Sequence, residues 1–207
     1  MLETILNFAL HLDKQLVVLI EQYGLFIYPI LFLTIFIETG FVIIPFLPGD
    51  SLIFVAGTIA AVGSLNPYVI FILLAIAAIG GDTVNYWFGR YAGKKVFKKF
   101  INPEHLKKTE LFYERYGKKA IILARFIPII RTIAPFVAGV GRMNYKIFLA
   151  YNIIGGILWV AIFTFAGYFF GNFTFVKDNL TAITLLIIFV SILPAIWEAT
   201  KKRPELN

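Results

Sequence analysis

The amino-acid sequence predicts an all-α protein that crosses a membrane several times. Of its 207 residues, 59% are hydrophobic and only 15% are charged, which lies far outside the composition of soluble globular domains. Ten of the nineteen Lys and Arg residues fall between positions 90 and 119, so the net charge of +7 is concentrated in one stretch. Such a concentration indicates membrane topology and argues against nucleic-acid binding.

The first 23 residues predict an amphipathic helix that lies in the membrane interface. Apolar residues recur there at helical spacing and are interrupted by Glu3, Asp13, Lys14 and Glu21. A helix packed on the bundle is an equal alternative. The segment has no basic start and no cleavage site of small residues, so we expect it to remain in the mature protein.

A spanning helix needs about 20 mostly apolar residues. Segments 67–88 and 147–170 and a C-terminal segment at 180–197 meet that requirement, whereas segments 25–62 and 120–140 are apolar but broken by proline and glycine. Irregular backbone at membrane depth is stable only where protein or a water-filled cavity satisfies its polar groups. Both broken segments therefore predict re-entrant broken-helix hairpins, although the first is long enough for two full spans.

The basic residues predict the orientation of the chain. A basic loop at 90–119 is expected in the cytoplasm, and Lys201, Lys202 and Arg203 place the C-terminus on the same side. With this topology the two hairpins enter the membrane from opposite faces.

An internal repeat relates residues 25–93 to residues 117–171. Repeats of opposite orientation, with discontinuous helices that meet near the midplane, are a recurring plan of transporters. The alignment rests on these matches: Val55-Ala56-Gly57 with Val137-Ala138-Gly139, Asn66 with Asn144, and Gly89/Gly93 with Gly167/Gly171.

Four charged residues lie within the two broken segments: Glu38, Asp50, Arg125 and Arg131. An ionised carboxylate at the bilayer centre costs about 3 kcal/mol, so an unpaired one would take up a proton. Arginine keeps its charge when buried, and its planar fork suits bidentate binding of phosphate. We therefore predict that the two arginines bind substrate and that the two carboxylates couple transport to protons.

Simpler interpretations remain open for these residues. The carboxylates could neutralise the arginines as salt bridges that hold the hairpins together. Asp50 could cap a helix that begins at Ser51 or Leu52.

Asp82 and Arg90 are secondary site candidates. Asp82 lies about two turns before the basic stretch, and it could pair with Arg90 or a lysine, or relay protons. Asn152 could cap a broken helix.

Neither a metal site, a cofactor nor an enzymatic activity is expected. The chain has no cysteine, and its two histidines, His11 and His105, lie far apart and outside the broken segments. No Ser or Asp has an evident neighbouring base that would make it a nucleophile.

The motifs and their order resemble the DedA family of bacterial membrane proteins, within the VTT (SNARE-associated) superfamily. The resemblance covers about residues 25–170 and implies an inner-membrane fold with two opposed re-entrant hairpins. It also implies that Glu38 and Asp50 match the essential acidic pair of the family and that Arg125 and Arg131 match its essential arginines. The motifs are Glu38-Thr39-Gly40, Phe46-Leu47-Pro48-Gly49-Asp50-Ser51, Gly81-Asp82, Tyr86-Trp87-Phe88-Gly89-Arg90, and Arg125-Phe126-Ile127-Pro128-Ile129-Ile130-Arg131 followed by Ala138-Gly139 and Met143.

Family members are linked to flipping of polyprenyl phosphates or other phospholipids and to the proton motive force. We therefore expect a proton-linked transporter of polyprenyl (undecaprenyl) phosphate or a related phospholipid in the bacterial inner membrane. Its expected partners are this lipid and protons, and the chain could also form a homo-oligomer. The alternatives are a cation/proton antiporter and an energy-independent phospholipid scramblase, which differ from the first hypothesis in their dependence on phosphate and on a pH gradient.

Overall fold

The computed structural model describes residues 24–41, 49–61, 63, 65–100 and 103–174. The amphipathic helix predicted before residue 24, the C-terminal transmembrane helix predicted at 180–197 and the orientation of the C-terminus lie outside these residues.

The described residues form helices and short connections and contain no strand, so the all-α prediction is confirmed for them. A 3₁₀ turn at Gly24–Phe26 precedes the first helix, and a second 3₁₀ turn at Gly117–Lys119 precedes the fifth. The helices are α1 (Ile27–Gly40), α2 (Gly49–Ala61), α3 (Pro67–Phe100), α4 (Pro103–Tyr116), α5 (Ala120–Ala124), α6 (Pro128–Val140) and α7 (Tyr145–Gly171).

Among the described residues, two helices are long and apolar enough to span a membrane. They are the 26 residues Pro67–Ala92 of α3 and the 27 residues Tyr145–Gly171 of α7, both longer than the roughly 20 residues that a span requires. Large apolar side chains on their outer faces are exposed, for example Ile76 at 58% and Ile162 at 51%. Exposed apolar faces are expected where lipid is the solvent, so these helices are consistent with a membrane protein.

The second broken segment is interrupted where Pro128 stands. Helix α5 ends at Ala124, and Ile127 is extended, with φ −120° and ψ 106°, before α6 begins at Pro128. Proline disfavours the helical conformation in the residue before it and suits the first position of a helix, so this residue sets the break. Pro135, in contrast, lies inside α6 and does not end it.

The basic stretch at 90–119 is largely helical in the part of it that the structure describes. Helix α3 continues to Phe100, and most of the following residues form α4 and the second 3₁₀ turn. Leu, Lys, Glu and Arg residues of α4 favour helix, and Pro103 occupies its first position. Gly117, with φ +57°, ends α4 in a conformation that favours glycine.

The chain divides into two compact units. The first contains α2 and the end of α7 from residue 163, and these two helices cross at Gly57 and Gly167. A methyl group on Gly57 would overlap the carbonyl oxygen of Thr164, and one on Gly167 would overlap that of Phe54. The two backbones are therefore in direct contact, which only glycine permits.

The second unit contains α1 from residue 28, α3 from residue 68, α4, α5, α6 and α7 up to residue 162. Here α3 and α6 cross at Gly89 and Gly139 in the same reciprocal way. A methyl group on Gly89 would overlap the carbonyl oxygen of Phe136, and one on Gly139 would overlap that of Tyr86. The repeat alignment pairs the glycines of the two crossings, so each half of the repeat supplies one glycine to each crossing.

A third close approach lies inside the second unit, between α1 and α3. A methyl group on Gly81 would overlap the hydroxyl oxygen of Thr39 and would come within 2.8 Å of the carbonyl oxygen of Phe36. This contact brings the last turn of α1, which carries Glu38, against the middle of α3.

Candidate functional site

The first feature of the site is a buried ion pair between α1 and α6. Nη2 of Arg131 lies 2.6 Å from Oε1 of Glu38, and the side chains are 8% and 2% exposed. Glu38 stands in the last turn of α1, and Arg131 in the first turn of α6, directly after the break at Pro128. The pair therefore joins helices from the two broken segments.

The second feature is a buried ion pair between the α5–α6 break and α3. Nη2 of Arg125 lies 2.5 Å from Oδ2 of Asp82, and both side chains are at most 4% exposed. The same nitrogen donates to Oδ1 of Asn152 at 2.5 Å and to the carbonyl oxygen of Ala78 at 3.5 Å. Helices α3 and α7 thus both contribute acceptors to Arg125.

A tryptophan links the two pairs. The ring of Trp159 on α7 is fully buried, and its centroid lies 5.9 Å from Cζ of Arg125 and 5.0 Å from Cζ of Arg131. A desolvated cation over an aromatic face is stabilised by about 2 kcal/mol. The two arginines, the two carboxylates and this ring therefore form one charged cluster.

Asn85 ties the first ion pair to α3. Its fully buried amide nitrogen donates to the carbonyl oxygen of Thr39 at 3.3 Å and to that of Thr132 at 2.9 Å. These threonines directly follow Glu38 and Arg131 in sequence. One side chain of α3 therefore holds the backbones of α1 and α6 beside the ion pair.

The cluster retains capacity for further hydrogen bonds. Nε and Nη1 of Arg125 and Oδ1 of Asn85 are buried, and none of them has a hydrogen-bond partner among the described residues. Each such atom costs about 1–3 kcal/mol when it stays unsatisfied. Buried donors and acceptors that lack a partner in the protein are commonly satisfied by ordered water or a bound ion.

Asp50 lies in the first unit, in the first turn of α2. This helix begins at Gly49, so Asp50 is its second residue. The side chain is half-buried. A carboxylate in a first turn is stabilised by the positive end of the helix dipole. The prediction that Asp50, like Glu38, couples transport to protons stays a prediction.

The interpretation that pairs Asp82 with Arg90 or a lysine is wrong, because the partner of Asp82 is Arg125. Nη1 of Arg90 donates instead to the hydroxyl of Tyr86 at 2.8 Å, and its guanidinium lies 5.6 Å from the ring of Trp87. The salt-bridge interpretation also needs correction for Arg125, whose carboxylate comes from α3 and not from a broken segment. The reason is that the α5–α6 break faces the middle of α3.

Sequence reasoning missed Asn85 and Trp159 and assigned Asn152 to a helix cap. Asn152 instead accepts a hydrogen bond from Arg125 and donates one to the carbonyl oxygen of Ile79 at 3.0 Å. The signal was present in the spacing: Asp82 and Asn85 are three residues apart on α3, and Asn152 and Trp159 are seven apart on α7. Residues at these intervals share one face of a helix.

The protein combines long apolar helices with a buried charged cluster. This combination is typical of polytopic helical membrane proteins that have a polar site among their helices. Residues 44–169 match the VTT domain family. The chain is 51% identical over 205 residues to protein DedA of Escherichia coli strain K12, covering 96% of this chain and 94% of that protein. The protein belongs to the DedA family.

Two other relatives extend the comparison. A membrane protein of Mycobacterium tuberculosis strain H37Rv is 42% identical over 190 residues, which cover 86% of this chain and 81% of that protein. Inner membrane protein YqjA of Escherichia coli strain K12 is 32% identical over 168 residues, covering 78% and 76%. No solved structure matches the chain.

Proposed function

We propose that the protein transports polyprenyl (undecaprenyl) phosphate, or a related phospholipid, across the bacterial inner membrane and that the proton motive force drives this movement. The observation that carries the proposal is the buried pair of Arg131 and Glu38. One partner always keeps its charge, while the other can be neutralised by a proton. Arg131 can therefore exchange the carboxylate of Glu38 for another anion.

The helix ends around the pair favour such an exchange. Glu38 lies at the negative end of α1, and Arg131 lies at the positive end of α6. Each charge is disfavoured by its own helix by about 0.3–1 kcal/mol. Protonation of Glu38 relieves the first of these interactions, and a phosphate next to Arg131 is stabilised by the start of α6.

The exchange supplies the differential affinity that transport requires. When Glu38 is protonated, Arg131 needs a new counter-ion, and its planar fork suits the phosphate of a lipid headgroup. When Glu38 loses its proton on the cytoplasmic side, it competes for Arg131 and expels the phosphate. Two states with different affinities for substrate are thus coupled to one proton. Asp50 is proposed as a second proton-carrying group.

Helix lengths support the two re-entrant hairpins on which this mechanism depends. Helices α2 and α6 have 13 residues each, well below the roughly 20 that a full span needs. The reciprocal glycine crossings support a repeat of the transporter type. The acyl chain of the substrate remains in lipid in this proposal, and no chemical step on the substrate is required.

The proposal is tested by headgroup movement in proteoliposomes that contain polyprenyl phosphate, with and without a pH gradient. We expect gradient-stimulated movement by the wild type and a decrease of about 30-fold or more in Arg131→Ala, because a buried charged contact is lost. Glu38→Gln, which imitates the protonated carboxyl, cannot become an anion that displaces the phosphate, so it should move lipid slowly and respond little to the gradient. Arg115→Ala removes an exposed arginine of α4 and is the matched control, which should behave as the wild type.

The alternatives give different results in the same experiment. Gradient-independent movement of both polyprenyl phosphate and an ordinary phospholipid by the wild type would indicate a scramblase. If a folded sample moves neither lipid but exchanges protons for Na⁺ or K⁺, the protein is a cation/proton antiporter.

A further inference from the structure

We infer that Arg125, Asp82 and Asn152 form a permanent lock that positions the broken segment, and that Arg131 alone exchanges its carboxylate for the substrate's phosphate. The identity of the exchanged anion rests on the proposed function. The lock rests on contacts within the second unit. Arg125 and Arg131, for which the sequence predicts one shared role, thus have two different roles.

The hydrogen bonds of Arg125 leave no free fork for a phosphate. A guanidinium presents two forks, one formed by Nε and Nη2 and the other by Nη1 and Nη2. In Arg125, Nη2 is bonded to Oδ2 of Asp82 and to Oδ1 of Asn152, both at 2.5 Å. Both forks therefore include an engaged nitrogen, and the unpartnered Nε and Nη1 point in different directions. Bidentate phosphate binding would have to break two short hydrogen bonds.

The backbone of α7 closes the space around this guanidinium. A methyl group on Gly155 would lie 3.1 Å from Cδ and 3.3 Å from Nε of Arg125, and one on Gly156 would lie 3.4 Å from Nη2. Glycine at both positions allows α7 to pack directly against the charged group, next to the ring of Trp159. Arg125 is thus enclosed on the side where Nε could meet a ligand.

Asn152 is a positioning residue of the lock. Its amide nitrogen donates to the carbonyl oxygen of Ile79 on α3 at 3.0 Å, and this bond turns the amide oxygen toward Arg125. Asp82 stands one turn further along α3. The two long helices therefore fix Arg125 from both sides.

The two ion pairs join different kinds of helix. Arg125 is anchored to α3 and α7, which are the spanning helices, whereas Arg131 and Glu38 join α6 and α1, which belong to the broken segments. Arg131 can lose its carboxylate when Glu38 is protonated, and this leaves the contacts of Arg125 intact. The lock thus fixes the α5–α6 break to α3 and α7 while the partner of Arg131 is exchanged.

This difference can be measured by replacing each pair with apolar residues of similar volume. Removing one partner of a buried ion pair leaves an uncompensated charge, while replacing both is often neutral. The lock variants are Arg125→Met, Asp82→Leu and the two together. The matched variants are Arg131→Met, Glu38→Leu and those two together. Thermal unfolding in detergent and movement of polyprenyl phosphate in proteoliposomes are measured for each.

We expect each single lock variant to lower Tm by about 10 °C. The paired lock variant should regain most of this loss and transport lipid within about threefold of the wild type, with an unchanged apparent KM. The paired Arg131 and Glu38 variant should also regain stability but should not transport.

Lysine variants give a second, independent measurement. Arg125→Lys keeps a positive charge opposite Asp82 but loses the fork. It should therefore lower the maximal rate without changing the apparent KM for polyprenyl phosphate. Arg131→Lys should raise that KM, because a lysine cannot bind phosphate through two parallel hydrogen bonds.

Each outcome decides the inference. Arg125 would be a substrate-binding residue if the paired lock variant is stable but does not transport, or if Arg125→Lys raises the KM. Either result would refute the lock while the proposed function stands. If wild-type protein moves no phosphate lipid, the proposed function fails. The lock is then decided by the single lock variants: a decrease in Tm of about 10 °C in both upholds a structural role of the pair, and an unchanged Tm overturns it.

Discussion

The crossing of α2 with α7 and the crossing of α3 with α6 have the same backbone geometry but different surroundings. In both, a glycine of one helix meets the carbonyl oxygen three residues before the glycine of the other. The first crossing is accompanied by the hydroxyl of Thr58, which donates to the carbonyl oxygen of Gly167 at 3.2 Å. The second lies within two turns of Asp82 and Asn85. The frame, by which we mean the two backbone crossings, therefore does not require charges. The charges beside the second crossing serve another purpose.

If the two crossings are equivalent parts of the frame, they should respond alike to a methyl group. We expect Gly57→Ala and Gly139→Ala each to lower stability by about 3 kcal/mol, because the added atom overlaps a backbone carbonyl that cannot move away cheaply. This corresponds to a decrease in Tm of about 10 °C for a chain of this size. Thermal unfolding of purified protein measures the effect.

Gly141→Ala provides the matched control for this comparison. Its methyl group would meet nothing closer than the carbonyl oxygen of Val137 at 3.3 Å, so the change should cost less than about 1 kcal/mol. A large effect at Gly57 with none at Gly139, or the reverse, would show that the crossings are not equivalent.

A smaller effect is expected at Asn85, which belongs to the second crossing only. Asn85→Leu removes two hydrogen bonds between helices and leaves the carbonyl oxygens of Thr39 and Thr132 without this donor. We expect a loss of about 2 kcal/mol, or about 5 °C in Tm. Lipid movement should decrease more than the folded fraction does, because the amide holds the backbones that carry Glu38 and Arg131.

Comparison of lipid movement with the folded fraction separates these two effects. Residual transport that simply follows the folded fraction would show that Asn85 contributes to the frame alone.

Much of the fold follows from the sequence, since lipid requires long apolar runs. The spans predicted at 67–88 and 147–170 differ by only a few residues from Pro67–Ala92 and Tyr145–Gly171. The break at Pro128 also follows from a local rule. The helix at Pro103–Tyr116 was missed, because clustered charge was interpreted as a loop although its residues favour helix.

Less of the candidate site was accessible to the same reasoning. Buried arginines must find counter-charges, so the existence of ion pairs could be predicted, and Glu38 was named as a carboxylate for them. That Arg125 pairs with Asp82 depends on where the α5–α6 break meets α3, which no local pattern specifies. The only signal for Trp159 was its spacing from Asn152, and this was weak because a tryptophan in an apolar helix is equally expected to face lipid.

The smallest expected effect concerns the polar contact that distinguishes the first crossing. Thr58→Val keeps the shape of the side chain but removes the hydrogen bond to the carbonyl oxygen of Gly167. Hydrogen bonds between membrane helices contribute about 0.6 kcal/mol on average, so Tm should fall by only about 2 °C. Transport should not change.

The repeat itself explains why this substitution is expected to be mild. The residue that follows Gly139 is Val140, so the second crossing has a valine at the position equivalent to Thr58. Thr58→Val therefore makes the first crossing resemble the second without adding a charge or a clash. A decrease in Tm as large as that of Gly57→Ala, or a loss of lipid movement at full stability, would show that the first crossing carries a polar function of its own.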